Sequence, residues 1–391
     1  MSEHLFIAGG SVRAAAQSAV RAGFRVTAAD RFCDRDLADS CEAVLVSDYP
    51  AGILPLAQQL APTAWLYTGG LENEPDLVDA VSHRHHLLGL PGSVLRQLRD
   101  PWQLSDVLAR DGLRFPRPVP RPPHGVAGRW LVKPVRSCGG ARIRWFDPRR
   151  DAGGTAPCSA PDPGLAASRG GGVTYYQPWI RGPAHGIIFL AAHGSATLLG
   201  VTRQLVGCVW AGAGGFQYVG SIGPIACDAL TLRTLQRIGD CLAAAFPLCG
   251  LVGVDTIFAG TEIWTIEVNP RYTAAVEVLE RATGVAAIGQ HWDACQSGRL
   301  PSPTAVPAAP MYGKAVVYAL RECTIGAAFY ERLEAARGSW DDDAFADLPQ
   351  LGTVLRAGQP ILTVFAQGSD ARTVHRRLRC LARTVHAWCD R

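Results

Sequence analysis

The chain has 391 residues, 48% of them hydrophobic and 18% charged, with a formal charge of +4. That length exceeds one ordinary core and predicts two or three domains, while the composition excludes a fibre or a disordered protein. Dispersed arginines argue against a nucleic-acid groove but leave anionic small substrates open. The 12 cysteines are scattered with no CxxC pair, the N-terminus lacks a basic-then-apolar signal pattern, and no apolar stretch nears the roughly 20 residues of a bilayer span. Free thiols in a cytoplasmic protein with no membrane role are therefore expected.

The opening "LFIAGGSVRAAAQSAVRAGFRVTAADRF" reads as a strand, a glycine turn, an amphipathic helix and a second strand ending at Asp30. Further strands at "AVLVSD" and "WLYTGG" flank helical "GILPLAQQLAP", so residues 1–90 are expected to form a Rossmann-like parallel-sheet domain. Gly9, Gly10 and Ser11 do not have GxGxxG spacing. A close-packed strand-to-helix turn is favoured over an oxidoreductase with Asp30 on a ribose. "SHRHH", with His83, His85 and His86, reads as solvated histidines rather than a metal site.

After two short helices around "RDPWQ", the strand "RWLVKP" ends at Lys133 and is followed by Gly139 and Gly140, where an ammonium and flexible backbone N–H groups can meet phosphate. Cys138 in that loop would be reactive only if its pKa were lowered. Residues 148–172, rich in Gly, Pro, Ala and Ser, read as a flexible insertion. From Val173 onward "VTYYQPWI", "GIIFLAAHG" and "SATLLGVT" have the alternation of an antiparallel sheet, and "LTLRTLQRIGDCLAAAF" that of a helix, which is α+β texture. Pro178 lacks a donor, which would leave backbone groups of Trp179 and Ile180 free to read an adenine edge. Proline-rich "LPSPTAVPAAP" reads as a linker to a small C-terminal subdomain over 311–391.

"GLVGVDTIFAGTEIWTIEVNPRY" reads as two strands and a tight turn. If the loop is Gly260, Thr261 and Glu262, Ala259 pairs with Ile263 and Asp255 falls opposite Glu267. Like charges that close need a cation, and Asn269, on the same face, offers an amide oxygen, so the three form a hard set suited to Mg²⁺. A slip of one residue dissolves this set; the competing reading is a surface ion pair between Glu267 and Arg271.

Strand lysine, glycine loop, hinge strand, acid, hairpin and "EVNPR", in that order, resemble the ATP-grasp superfamily over about Pro91 to Pro310, and the chain is similar to predicted carboligases related to biotin carboxylase. The resemblance implies a pre-grasp α/β domain at 1–90, an ATP-grasp domain at 91–310 and a closing subdomain at 311–391. By the same resemblance Lys133, Gly139 and Gly140 contact nucleotide phosphates, and Gln177 to Ile180 hold adenine. Asp255, Glu267 and Asn269 ligate Mg²⁺, with Mn²⁺ the alternative ion, and Arg271 lies beside the transferred phosphoryl group. Arg203, Trp210, Tyr218, Glu72 and Asn73 fall where acceptor residues lie. Many members have Asp-Lys where this chain has "RDPWQ", so Arg99 would have to stand in for a phosphate-contacting lysine. The implied activity is an ADP-forming ligase that activates a carboxylate with Mg-ATP and joins it to an amine or a thiol, in a setting such as methanopterin-linked one-carbon metabolism. The alternative is a nucleotide-binding scaffold with little turnover. Small-molecule carboxylates and amines are the implied partners, and a homodimer is compatible with the resemblance.

Overall fold

The computed structural model describes residues 3–121, 128–140, 142–151, 173–302, 310–337 and 344–389. Strands β1 (His4–Gly9), β2 (Arg25–Asp30), β3 (Glu42–Leu45), β4 (Ala64–Tyr67) and β5 (His86–Leu87) form a parallel sheet in the order β3-β2-β1-β4-β5. Both faces of β1 and β4 are buried, which is why they read as apolar runs. The order reverses between β1 and β4, and such a switch point opens a crevice at the carboxyl ends of the strands.

Those ends are built by glycines. A Cβ on Gly9 would lie 2.0 Å from Thr68 Oγ1, and Gly10 N donates to Gly69 O at 2.9 Å. The Asp30 carboxylate accepts from the backbone N–H groups of Val12, Phe32 and Cys33. It closes its own loop and caps the helix Arg13–Arg21, which accounts for the glycine turn without a dinucleotide.

A second sheet is small and antiparallel: β6 (Trp130–Pro134), β7 (Arg144–Trp145) and β8 (Thr174–Pro178) in the order β7-β6-β8. The expectation of one sheet running on from Val173 is thereby corrected, since β8 leaves its sequence neighbours to pair with β6. Of the expected insertion, Pro148–Asp151 form a helical turn, and residues 152–172 lie outside the described residues.

The large sheet holds β9 (Ala184–Ala192), β10 (Ser195–Val206), β11 (Tyr218–Gly223), β12 (Gly250–Ala259), β13 (Glu262–Asn269), β14 (Met311–Tyr318), β16 (Phe345–Ala346) and β18 (Pro360–Gly368). Its order is β13-β12-β9-β10-β11-β14-β18-β16, while β15 (Cys323–Thr324) and β17 (Val354–Leu355) form a ribbon apart. The chain after residue 311 therefore extends the same sheet rather than building a separate one. Helix Ala229–Ala245, N-capped by Asp228 on Thr231 N, buries Leu235, Ile238 and Leu242 in the core that also holds Phe189. Among the described residues no helix is long and apolar enough to cross a membrane.

An ionic lock joins the three regions. Arg13, 1% exposed, donates to Glu277 at 2.8 Å and to Asp347 at 2.6 Å, and Lys314 donates to Glu277 at 2.6 Å. Buried charges persist only when paired and hydrogen-bonded, so these contacts fix the parallel sheet against the large one.

Candidate functional site

Asp255 on β12 pairs directly with Glu267 on β13. The route differs from the expected count. The turn holds only Gly260 and Thr261, so Ala259 pairs with Glu262, and a bulge at Ile266 between the Thr256–Thr265 and Asp255–Glu267 pairs restores the register. Burial and the Glu267 charge push the Asp255 carboxyl up to about 7. Gln204 Nε2 donates to its Oδ1 at 2.6 Å, and Asn269 Nδ2 donates to its Oδ2 at 3.1 Å. Asn269 Oδ1 accepts from Arg271 at 3.3 Å, and the amide's NH₂ lies toward Asp255.

Two arginines flank the carboxylates. Arg99 Nη1 donates to Glu267 Oε1 at 2.6 Å, and its Nη2 binds Val135 O and Ser137 O at 3.2 and 2.8 Å. The "RDPWQ" turn explains its position. Arg99 closes the helix Gly92–Leu98, and Asp100 N-caps the next helix on Trp102 N and Gln103 N, with Pro101 at the first helical position. Arg271 Nη2 donates to Glu72 Oε1 at 2.7 Å, and the Glu72 side chain is fully buried. Burial alone would raise the Glu72 carboxyl, but Arg271 holds it below the usual carboxylate range. The expected alternative, a surface pair of Glu267 with Arg271, gives way to two cross-pairs: a buried one of Arg271 with Glu72 and a half-buried one of Arg99 with Glu267. Glu72 stands at the switch-point crevice, so these pairs bring the parallel sheet to the edge of the large one.

Lys133, buried on β6, donates to Gln177 Oε1 at 3.2 Å and to Ile266 O at 3.4 Å. The bulge supplies that carbonyl, because a bulged residue is freed from the ladder. Gln177 in turn donates to Pro116 O at 2.6 Å. Gly139 and Gly140 both adopt positive φ, and a Cβ on Gly140 would sit 2.0 Å from Phe216 O. Tyr218 N donates to Gly139 O at 2.9 Å, and its hydroxyl shares a 2.8 Å hydrogen bond with Ser221 Oγ, so the glycine loop is docked on β11.

Other expected positions separate from this cluster. Trp179 N donates to Arg129 O at 2.9 Å, so that N–H is not free to read a base: pairing with the chain entering β6 runs one residue past Pro178. Arg203 pairs with His185 and Ile222, and strand alternation puts it on the opposite face from Gln204 and Asp255. Trp210 packs edge-on against His375, ring centroids 5.5 Å apart, on the C-terminal helix. Burial pushes the Cys138 thiol up to about 11, the reverse of activation. His85 is a satisfied core histidine, accepting from Thr63 N and donating to Ala57 O. Gln204 was not foreseen; it neighbours Arg203 in sequence, and only the register reveals which of the two faces the carboxylate.

Among the described residues no group of three or more His, Cys, Asp or Glu side chains is disposed to hold a metal. The donor set at hand is two opposed carboxylates and an amide, all hard oxygens beside Lys133, Arg99 and Arg271, which fits a hard divalent ion that takes part of its shell from water and phosphate.

Residues 98–275 match the family model of an ATP-grasp domain. That segment of the chain is similar to an ATP-grasp domain. Its fold is similar to a biotin carboxylase from Campylobacter jejuni solved with an ATP analogue (TM-score 0.71, 12% identity, 96% of this chain and 90% of that one). It is similar also to an L-amino acid ligase from Bacillus licheniformis (TM-score 0.67, 13% identity, 98% of each chain). N5-carboxyaminoimidazole ribonucleotide synthetase from Thermotoga maritima aligns at TM-score 0.65, with 13% identity over 98% of each chain. No curated protein sequence matches. At these identities the likeness establishes the fold, a parallel-sheet domain followed by the antiparallel grasp sheet.

Proposed function

We propose that the protein is an ADP-forming ligase that uses ATP to activate a carboxylate and joins the acyl group to an amine. The observation that carries this reading is the Asp255–Glu267 pair with Lys133 bound to the carbonyl of the bulge residue Ile266, next to Glu267. Directly opposed carboxylates are costly by themselves, and a lysine, two arginines and a glycine loop converge on them, as a phosphate–cation site requires. Asp255 and Glu267 would hold Mg²⁺, joined by Asn269 once its amide turns the oxygen from Arg271 toward them, and the ion would supply charge neutralisation at the phosphates. The relatives include structures solved with an ATP analogue and with Mg-ADP, which supports both as ligands of this chain.

The substrate carboxylate oxygen attacks the γ-phosphorus as the bond to ADP breaks, giving an acyl phosphate. The amine nitrogen then attacks the acyl carbon, the C–O bond to phosphate breaks, and the amine loses a proton. Positioning and charge stabilisation dominate such a transfer, and no enzyme nucleophile is required. Lys133 and the loop at Gly139 and Gly140 hold the phosphates. Arg271, steadied by Glu72, faces the transferring group, and Arg99 neutralises Glu267 while bracing Val135 and Ser137. Incubation with ATP, Mg²⁺ and paired carboxylates and amines, followed by ADP release, tests the reading. ATP binding without ADP from any pair would contradict it.

A further inference from the structure

Beside the carboxylates lies a cavity of about 270 Å³, walled by Leu95, Pro101, Trp102 and Val135, with Arg96 and Arg136 at its polar side and Glu72, Asn73 and Arg99 also lining it. Lys133, Gln177, Trp179 and Asp255 do not line it, so it adjoins the candidate nucleotide surface only through Arg99 and the chain at Val135 and Arg136 that leads into the glycine loop. It reaches the reaction centre nonetheless, because Glu72 binds Arg271 and Arg99 binds Glu267 directly. Buried side-chain polar atoms nearly always have partners. Here Asn73 Oδ1 and Arg99 Nε, both buried, have none, and Arg271 Nε, one contact away, is in the same condition. An unmatched acceptor and an unmatched guanidinium donor therefore belong to residues of the cavity wall, and a second such donor, on Arg271, lies behind Glu72.

We infer that this cavity receives the carboxylate substrate, and that the substrate is a small carboxylic acid with an aromatic or branched aliphatic body. The inference rests on the ligase reading above. The carboxylate lies toward the Arg99 and Arg271 guanidinium groups, the body packs on the Trp102 indole and Leu95, and a donor on the body meets Asn73 Oδ1. Ligand pockets of drug-sized molecules run to about 300–1,000 Å³, so this one holds a single small body and no long chain. Trp102 is set by its tilted contact with Tyr175, centroids 5.8 Å apart, next to Lys133 on the facing strand. The apolar wall is thus fixed to the element that carries the phosphate-binding lysine.

The test uses the full chain with Mg-ATP and hydroxylamine, which traps any acyl phosphate as a hydroxamate whatever the natural amine is. Phenylacetate, indole-3-acetate and isovalerate are compared with acetate, succinate and bicarbonate. The expected result is a KM at least tenfold lower for the first group. Trp102→Ala should raise that KM at least tenfold with the KM for ATP within twofold, and the milder Val135→Thr should raise it in the same direction. Preference for succinate or bicarbonate, or a carboxylate KM indifferent to both substitutions, overturns the inference. Titration calorimetry of the same acids, without ATP, separates the two claims. Apolar acids that bind wild type but not Trp102→Ala, with no ADP formed, retain the pocket and reject the ligase; no binding by any apolar acid rejects the pocket.

Discussion

Asp255 faces Glu267 across an antiparallel pair, and the side chains around them supply donors to one and a guanidinium to the other. Directly opposed like charges destabilise a strand pair by up to about 1 kcal/mol. Asp255→Asn is therefore expected to leave the protein as stable as wild type or up to ~1 kcal/mol more stable, while turnover falls by on the order of 10²–10³-fold. Urea unfolding and ADP release on the same preparation check both halves. Loss of stability with activity retained would mean the pair is structural.

Glu72→Gln should do the opposite to stability. It leaves Arg271 buried and uncompensated, and breaking such a pair costs about 3–5 kcal/mol. Glu72 is held below the usual carboxylate range despite its burial, so its contribution is present above the unfolded-state pKa and is lost as pH falls through the folded one. The difference in unfolding free energy between wild type and Glu72→Gln should therefore shrink as pH is lowered below about 4, and denaturant titrations at several pH values measure it.

How much of this was legible in the sequence is shown by one strand. The facing of Asp255 and Glu267 was reached from a three-residue loop, whereas the protein uses a two-residue turn and inserts Ile266 as a bulge; two offsets of one residue cancel. The bulge does leave a trace. Buried positions on β13 run Ile263, Thr265, Val268 and Asn269, with a step of three where alternation would give two, but that pattern alone does not say which residue is extra. The Arg203 placement failed for a related reason. One residue decides the face of a strand, so Gln204 reaches Asp255 and Arg203 cannot. The cross-pairs of Arg99 with Glu267 and Arg271 with Glu72 join residues 168 and 199 positions apart, and no local pattern encodes them. Local order was readable because it follows period and turn residues: the βαβ opening, the Lys133 strand and the Ala229–Ala245 helix.

Gly140→Ala should weaken ATP binding with little loss of stability. The new Cβ would meet Phe216 O at 2.0 Å in a backbone conformation of φ +73, so the loop must leave its dock on β11. A KM for ATP at least tenfold higher, with an unfolding midpoint close to wild type, is the expected pattern in kinetics and thermal melts.

Cys138 should resist alkylation. With its pKa pushed up to about 11 by burial, only on the order of one thiol in several thousand is ionised at pH 7.5, and the thiolate is the reactive form. Peptide mapping after iodoacetamide should show Cys138 among the least modified cysteines, and Cys138→Ser should keep turnover within about threefold. Rapid labelling with inactivation would contradict the described packing.

The central claim is transfer of the γ-phosphoryl group of ATP to a carboxylate held beside Asp255 and Glu267. It is tested most directly with ¹⁸O-labelled carboxylates, ATP, Mg²⁺ and an amine, followed by mass spectrometry of the released phosphate. One ¹⁸O atom per ADP formed is predicted, and none from Glu267→Ala. Phosphate released without label, or ADP release that no carboxylate stimulates, would contradict the account.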